Sequence, residues 1–153
     1  LGKGSGPTPN VKIVNDPNQT DVETVCRELW QAFQGLLSWQ WDGRFETALA
    51  EFAVDRQSGI RAILERYLTN TWDTTTIGYA PDIVRTINIR VAGLRPQQLL
   101  FTSDPNREAL VFGAWWPWGD GQTISIRLAP WYKRLPDSER VERIQRFKTW
   151  FGV

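Results

Sequence analysis

The chain has 153 residues, 18 Lys and Arg against 17 Asp and Glu, and a formal net charge of +1. That is the length of one domain, and a composition 41% hydrophobic and 23% charged is globular, able to bury a core without disulfides or metals. It has no His and a single Cys, Cys26. This inventory excludes an internal disulfide, a His-based triad, a Cys–His dyad and any His or multi-Cys zinc site, and near-neutral charge argues against a general nucleic-acid binder.

Leu1 to Asn10 reads LGKGSGPTPN, without an apolar period or an initiator Met. It is expected to be a flexible leader or a cloning scar, leaving 11–153 as a single α+β domain. Val11-Lys12-Ile13-Val14 predicts a short strand, and Asn15 to Asn18 a turn. Thr20-Asp21-Val22-Glu23 has the capping-box pattern and opens a helix over 21–37, with Val22, Val25, Cys26, Leu29, Phe33, Leu36 and Leu37 on one face. Cys26 lies within that stripe, so a buried, inert thiol is expected.

SWQWDG (Ser38 to Gly43) interrupts the period. Phe45, Ala48, Leu49, Phe52 and Ala53 restart it and predict a helix over 44–54; Ile60, Ile63, Leu64, Tyr67 and Leu68 predict another over 58–69, capped by Ser58. Thr69 to Thr76 reads as a loop, with Asp73 in a turn. From Ala80 the period changes to two. Ile83, Ile87, Ile89 and Val91 predict a strand over 82–91, followed by strands at 98–102, 109–115 and 122–128. Connections this short make the four an antiparallel meander. Pro136-Asp137-Ser138-Glu139 starts a last helix, with Val141, Ile144, Phe147 and Phe151 turned inward. The order, an N-terminal strand and helices, a β-meander and a C-terminal helix, is α+β. About 18 consecutive apolar residues would be needed to span a membrane, and no stretch has them.

The chain holds nine Trp, where typical composition gives roughly two. Three crowd one turn in Gly113-Ala114-Trp115-Trp116-Pro117-Trp118-Gly119-Asp120-Gly121. Trp115 and Trp116 are consecutive in a strand and point to opposite faces. Trp118 sits in the turn itself, where burial by a sheet is difficult. An exposed indole buries a large rigid area on contact and keeps an N–H donor, the profile of a binding hot spot. The alternative is that a helix or the leader folds over these rings. Trp39 and Trp41 share a parity, and either face the same partner or wedge between helices.

On the last helix Arg143, Arg146 and Trp150 line one flank, with Glu139–Arg143 and Glu142–Arg146 at ion-pair spacing. Lys133, Arg134, Arg140 and Lys148 add to a basic C-terminal third that suits an acidic protein surface or anionic headgroups, with peripheral contact as the limit. Asp42 and Glu46, four apart beside two indoles, resemble the carboxylate pairs of sugar-cleaving sites; the plainer reading makes Asp42 a helix start and Glu46 part of its first turn. Gly119-Asp120-Gly121 is a hairpin turn signal and lacks the Lys-Ser/Thr ending of a phosphate loop.

Three stretches, VKIVNDPNQTDVE (Val11 to Glu23), SWQWDGRFETALAEF (Ser38 to Phe52) and FGAWWPWGDGQTISIRLAPW (Phe112 to Trp131), together resemble the CupS family. These are the small soluble subunits of the inducible carbon-dioxide-uptake form of the cyanobacterial NDH-type complex. The resemblance covers nearly the whole chain after the leader. It implies a fasciclin-like fold of helices on a wedge of strands. It also implies a place at the cytoplasmic face of the thylakoid membrane, beside the CupA-type hydration subunit and the membrane arm. The family brings no catalytic residues to carry over.

The expectation is therefore a non-catalytic, cytoplasmic interaction subunit, a monomer when isolated, without cofactor, metal, nucleic acid or membrane insertion. Its partner-binding residues would be Trp115, Trp116, Trp118, Trp39, Trp41, Arg143, Arg146 and Trp150. The rival expectation is a small-ligand or carbohydrate-binding domain, or a weak hydrolase using Asp42 and Glu46.

Overall fold

The computed structural model describes residues 17–153; the expected leader and the strand at Val11–Val14 lie outside them. Helix α1 (Pro17–Ala32) is followed by strands β1 (Gln40–Asp42) and β2 (Thr47–Ala53), helix α2 (Gln57–Tyr67) and strand β3 (Asn70–Trp72). Helix α3 (Asp82–Arg90), strands β4 (Leu99–Thr102), β5 (Ala109–Pro117) and β6 (Thr123–Tyr132), and helix α4 (Asp137–Phe151) complete the order. The strands form one six-stranded sheet in the order β1-β2-β6-β5-β4-β3, every pair antiparallel. The fold is α+β with a C-terminal helix.

Helix α1 buries Val22, Cys26 and Leu29, with Phe33 buried just past its end, and packs on β5 and α4; it stops at Ala32 and not at 37, because the chain turns through Gly35 at φ +81°, which leaves Leu36 42% exposed. Thr20 is not its cap: the helix begins three residues earlier, at Pro17, whose fixed φ suits a first helical position. Ser58 likewise lies within α2, which starts at Gln57. In α4, Phe147 and Phe151 are buried as expected, but Val141 is 68% exposed.

Two elements exchange type. The helix expected over 44–54 is instead the turn and second strand of a hairpin, because β2 lies between β1 and β6. Thr47, Ala48, Leu49 and Ala50 are all buried. A strand covered on both faces loses the alternation that would mark it, and Ala, Leu and Glu imitate a helical period. Asp42 and Glu46 are therefore not a helix start: Asp42 ends β1, and Glu46 turns the chain with φ +56°. Conversely, the strand expected over 82–91 is α3. Ile83, Val84 and Ile87 with Val91 form the buried helical stripe, while Ile89 is 78% exposed. Its β-branched residues alternate by chance, but Asp82 in the first turn and Gly93 at φ +80° after the end are ordinary helix boundaries. The loop expected at 69–76 contributes β3, an edge strand paired with β4. Asp73 closes a turn as expected, accepting hydrogen bonds from the backbone N–H groups and hydroxyls of Thr75 and Thr76.

Cross-strand partners share a sheet face, so the register places Phe52, Phe101, Gly113, Trp115, Ile126 and Leu128 together. Leu68, at the end of α2, packs here. A Cβ on Gly113 would stand 2.9 Å from Leu128 Cδ2 and 3.4 Å from both Ile126 Cδ1 and Leu68 Cδ1. Gly113→Ala should therefore destabilise the fold by about 1–3 kcal/mol through overpacking, read as a lower urea midpoint at unchanged slope; an unchanged midpoint would mean that α2 is not seated on β5 in this way.

Candidate functional site

The β5–β6 turn is built by local chemistry. Trp118 N–H donates to Thr123 O at 2.8 Å and Gly121 N–H to Trp118 O at 3.2 Å, with Gly121 at φ +70°. Asp120 locks the return strand. Its carboxylate accepts from the N–H groups of Gln122 and Thr123 and from the Thr123 hydroxyl. The Gln122 N–H does most to hold the Asp120 carboxyl below its ordinary 3.8. The turn expected from Gly119-Asp120-Gly121 is thus present, and it fixes where Trp118 stands.

The three indoles of this hairpin have three environments. Trp115 is only 3% exposed and lies edge-on between Phe52 and Phe101. It belongs to the core and cannot meet a partner, because Phe52 and Phe101 cover it on its face of the sheet. Trp116 faces the other way, as consecutive strand residues must. It is half-buried, with the Arg127 guanidinium 4.4 Å above its ring and Phe45 edge-on at 5.4 Å. Arg127 is in turn held at 2.7 Å by Asp42, and both side chains are mostly covered. Trp118 alone of the nine indoles is exposed, at 44%.

Of the other expected partner residues, all but Arg146 are wholly or partly drawn inward. Trp39 wedges between the end of α1 and α4, 4.6 Å from Phe151 and 5.8 Å from Phe33. Trp41 lies 6.2 Å from Phe147 with Lys148 Nζ 4.8 Å from its ring. Of the two alternatives, Trp39 takes the wedge between helices, whereas Trp41 is half-buried against α4. Trp150 is 7% exposed and lies in the core, near the end of α4, where Trp30 of α1 approaches Gly152. Arg143 is packed rather than displayed. It meets Gln19, lies 4.9 Å above the Tyr132 ring and stands 3.7 Å from Glu139. Arg146 keeps the expected pair with Glu142 at 3.0 Å on an open flank. Cys26 is fully buried, and burial pushes its thiol far above the ordinary range, so it is no nucleophile in the folded chain.

Asp42 and Glu46 are each taken by arginine, and by different ones. Arg127 holds Asp42, while Arg90 and Arg140 both reach Oε1 of Glu46, Arg90 at 2.7 Å. Glu46 stands at the edge of a half-enclosed cleft of about 230 Å³. Phe45, Trp131, Ile144 and Phe147 supply its apolar wall, and Arg90, Lys133, Arg140 and Arg143 its cations. Only the local basicity around Lys133 to Arg143 pointed here from the sequence. Among the described residues no cluster of metal-ligating side chains occurs, and no helix is long and apolar enough to cross a membrane.

Comparison with protein families, curated proteins and solved structures gives no match. The fasciclin-like arrangement implied by the resemblance is not confirmed by them.

Two outcomes test this site. Arg127→Gln uncovers Trp116 and strands Asp42, and should cost about 2 kcal/mol, discounted from a fully buried pair for the remaining exposure; chemical denaturation measures it. Asp120 has a depressed folded-state pKa, so its charge stabilises fully above about pH 4 and this contribution disappears as pH falls through the folded value. The stability gap between the parent and Asp120→Asn should therefore be largest at neutral pH and close on acidification below 3.8.

Proposed function

We propose that the chain is a non-catalytic docking subunit of a cyanobacterial carbon-dioxide-uptake NDH-type complex, working at the cytoplasmic face of the thylakoid membrane. Two independent lines support this reading. One is the resemblance of three long stretches to the CupS family. The other, which carries the proposal, is Trp118: an indole left 44% exposed on a turn that Asp120 and Gly121 hold in one conformation.

A rigid hairpin offering an aromatic ring binds with little ordering cost. The residues around it extend the patch. Trp116 lies two positions away and is half-buried, and Pro117 between them keeps the approach stiff. Arg127, stacked on Trp116, contributes a cation that is already paired and costs little further desolvation. An interface of ordinary size covers about 800 Å² on each partner, so Trp118 would sit at its centre and Arg146 near its rim only if the partner wraps toward α4. The partner would be the hydration subunit or the membrane arm. Sugar binding by Asp42 and Glu46 is less well supported, since both carboxylates already serve as arginine partners within the fold.

The test is capture from native cyanobacterial membranes with the purified chain as bait, scored for the hydration and membrane-arm subunits. Trp118→Ala should reduce their retention about tenfold while shifting Tm by less than about 1 °C. Undiminished retention, or a saturable tryptophan-fluorescence response to soluble glycans, would overturn the reading. Trp118→Ala is a cleaner variant than one at Trp116, whose ring supports Arg127 and Phe45.

A further inference from the structure

We infer that the cleft between α4 and the β1–β2 turn is a binding site for a small organic monoanion with an apolar, ring-sized body. The site is separate from the Trp118 hairpin, and its occupant is a metabolite-sized molecule rather than a protein.

The charge count selects an anion. Four cations line the cleft: Arg90, Lys133, Arg140 and Arg143. Lys133 has Glu108 at 3.8 Å, and Arg143 has Glu139 at 3.7 Å. Arg90 and Arg140 must share Glu46, and both reach the same oxygen of it. Among the described residues one positive charge is therefore left over, at the Arg90–Glu46–Arg140 cluster. Both guanidinium groups are partly exposed there, and a guanidinium has five N–H donors of which a single carboxylate oxygen uses few. A ligand carboxylate can take the rest in paired hydrogen bonds.

The backbone prepares this arrangement. Glu46 sits at φ +56°, a conformation that non-glycine residues adopt at a cost and that persists where surroundings enforce it. The turn thereby presents the Glu46 carboxylate to two arginines from distant helices and holds them side by side at the mouth.

Size and lining select the rest of the ligand. The cleft's volume of about 230 Å³ is less than the roughly 300–1,000 Å³ of pockets for larger ligands. The wall behind the arginines is aromatic and aliphatic, from Phe45, Trp131, Ile144 and Phe147. An apolar ring fits that wall, with its acidic group turned to Arg90 and Arg140.

Benzoate is the probe, with benzyl alcohol as the ring without charge and acetate as the charge without ring. The readout is the Trp131 indole N–H signal in proton–nitrogen correlation spectra, assigned with Trp131→Phe. Benzoate should shift it saturably, with a Kd of about 1 mM or tighter, and both controls should bind at least about tenfold more weakly. Arg140→Gln and Arg90→Gln should each weaken benzoate at least about fivefold, whereas Glu46→Gln, which releases both guanidinium groups, should tighten it. Benzyl alcohol matching benzoate would show a plain apolar cleft and overturn the inference. So would acetate matching benzoate, no saturation by about 50 mM, or undiminished binding in both folded arginine variants. Trp118→Ala should leave the benzoate titration unchanged, so failure of the docking reading does not disturb this one.

Discussion

From Ala109 to Trp115 every residue of β5 is buried, so the central strand of the sheet has no face toward water. Everything else is arranged around that constraint. Helix α1 lies against β5, β4 and β6 flank it, and Gly113 leaves out a side chain where Leu68, Ile126 and Leu128 close in. Because side chains alternate along a strand, the depth of β5 in the core decides which indole is lost to it. Trp115 shares a face with Phe52 and Phe101, and Trp116 must therefore leave it. A slip of one residue would exchange the two and drive a guanidinium-stacked ring into the core. The Asp120 turn, which sets the register of β5 against β6, is thus as much part of the core as the leucines are.

The elements that could be read from the chain are those in which local preference and final environment agree. Helices α1, α2 and α4 have one buried stripe each, and strands β4, β5 and β6 are bounded by Pro, Gly and Asp turns. Two segments failed together and for mirrored reasons. In β2, residues with strong helix propensity are held extended by partners on both sides, and pairing with β1 and β6 outweighs propensity. In α3, β-branched residues that favour strands form a helix, because Ile83, Val84, Ile87 and Val91 then bury one stripe. Either segment alone has a plausible wrong answer; only the neighbours supplied by distant sequence decide between periods.

The tryptophan excess was legible as an anomaly but not as a surface. Composition cannot distinguish an indole that fills a gap between a helix and a sheet, as Trp39 does, from one that is displayed. What distinguished Trp118 was its place in a turn held by an aspartate and a glycine. That signal was present in Trp118-Gly119-Asp120-Gly121, and the structure accords with it. The Trp150 flank of the helical wheel is not outward, because α1 packs on α4 and its Trp30 reaches Gly152 at the end of that helix.

The arginine cluster at Glu46 had no such local signal. Its members come from a hairpin turn, from α3 and from α4, separated by 44 and 94 positions. Both errors in the secondary structure conceal it. Read as part of a helix, Glu46 would lie along an axis beside Asp42 and complete a carboxylate pair. Read as part of a strand, Arg90 would belong to the meander. Once the two segments exchange type, Glu46 moves out onto a left-handed turn and Arg90 becomes the last residue of a helix whose end lies near it. The same correction that dissolves the expected acidic pair, by giving Asp42 to Arg127 and Glu46 to Arg90 and Arg140, leaves one guanidinium charge in excess among the described residues beside an aromatic cleft.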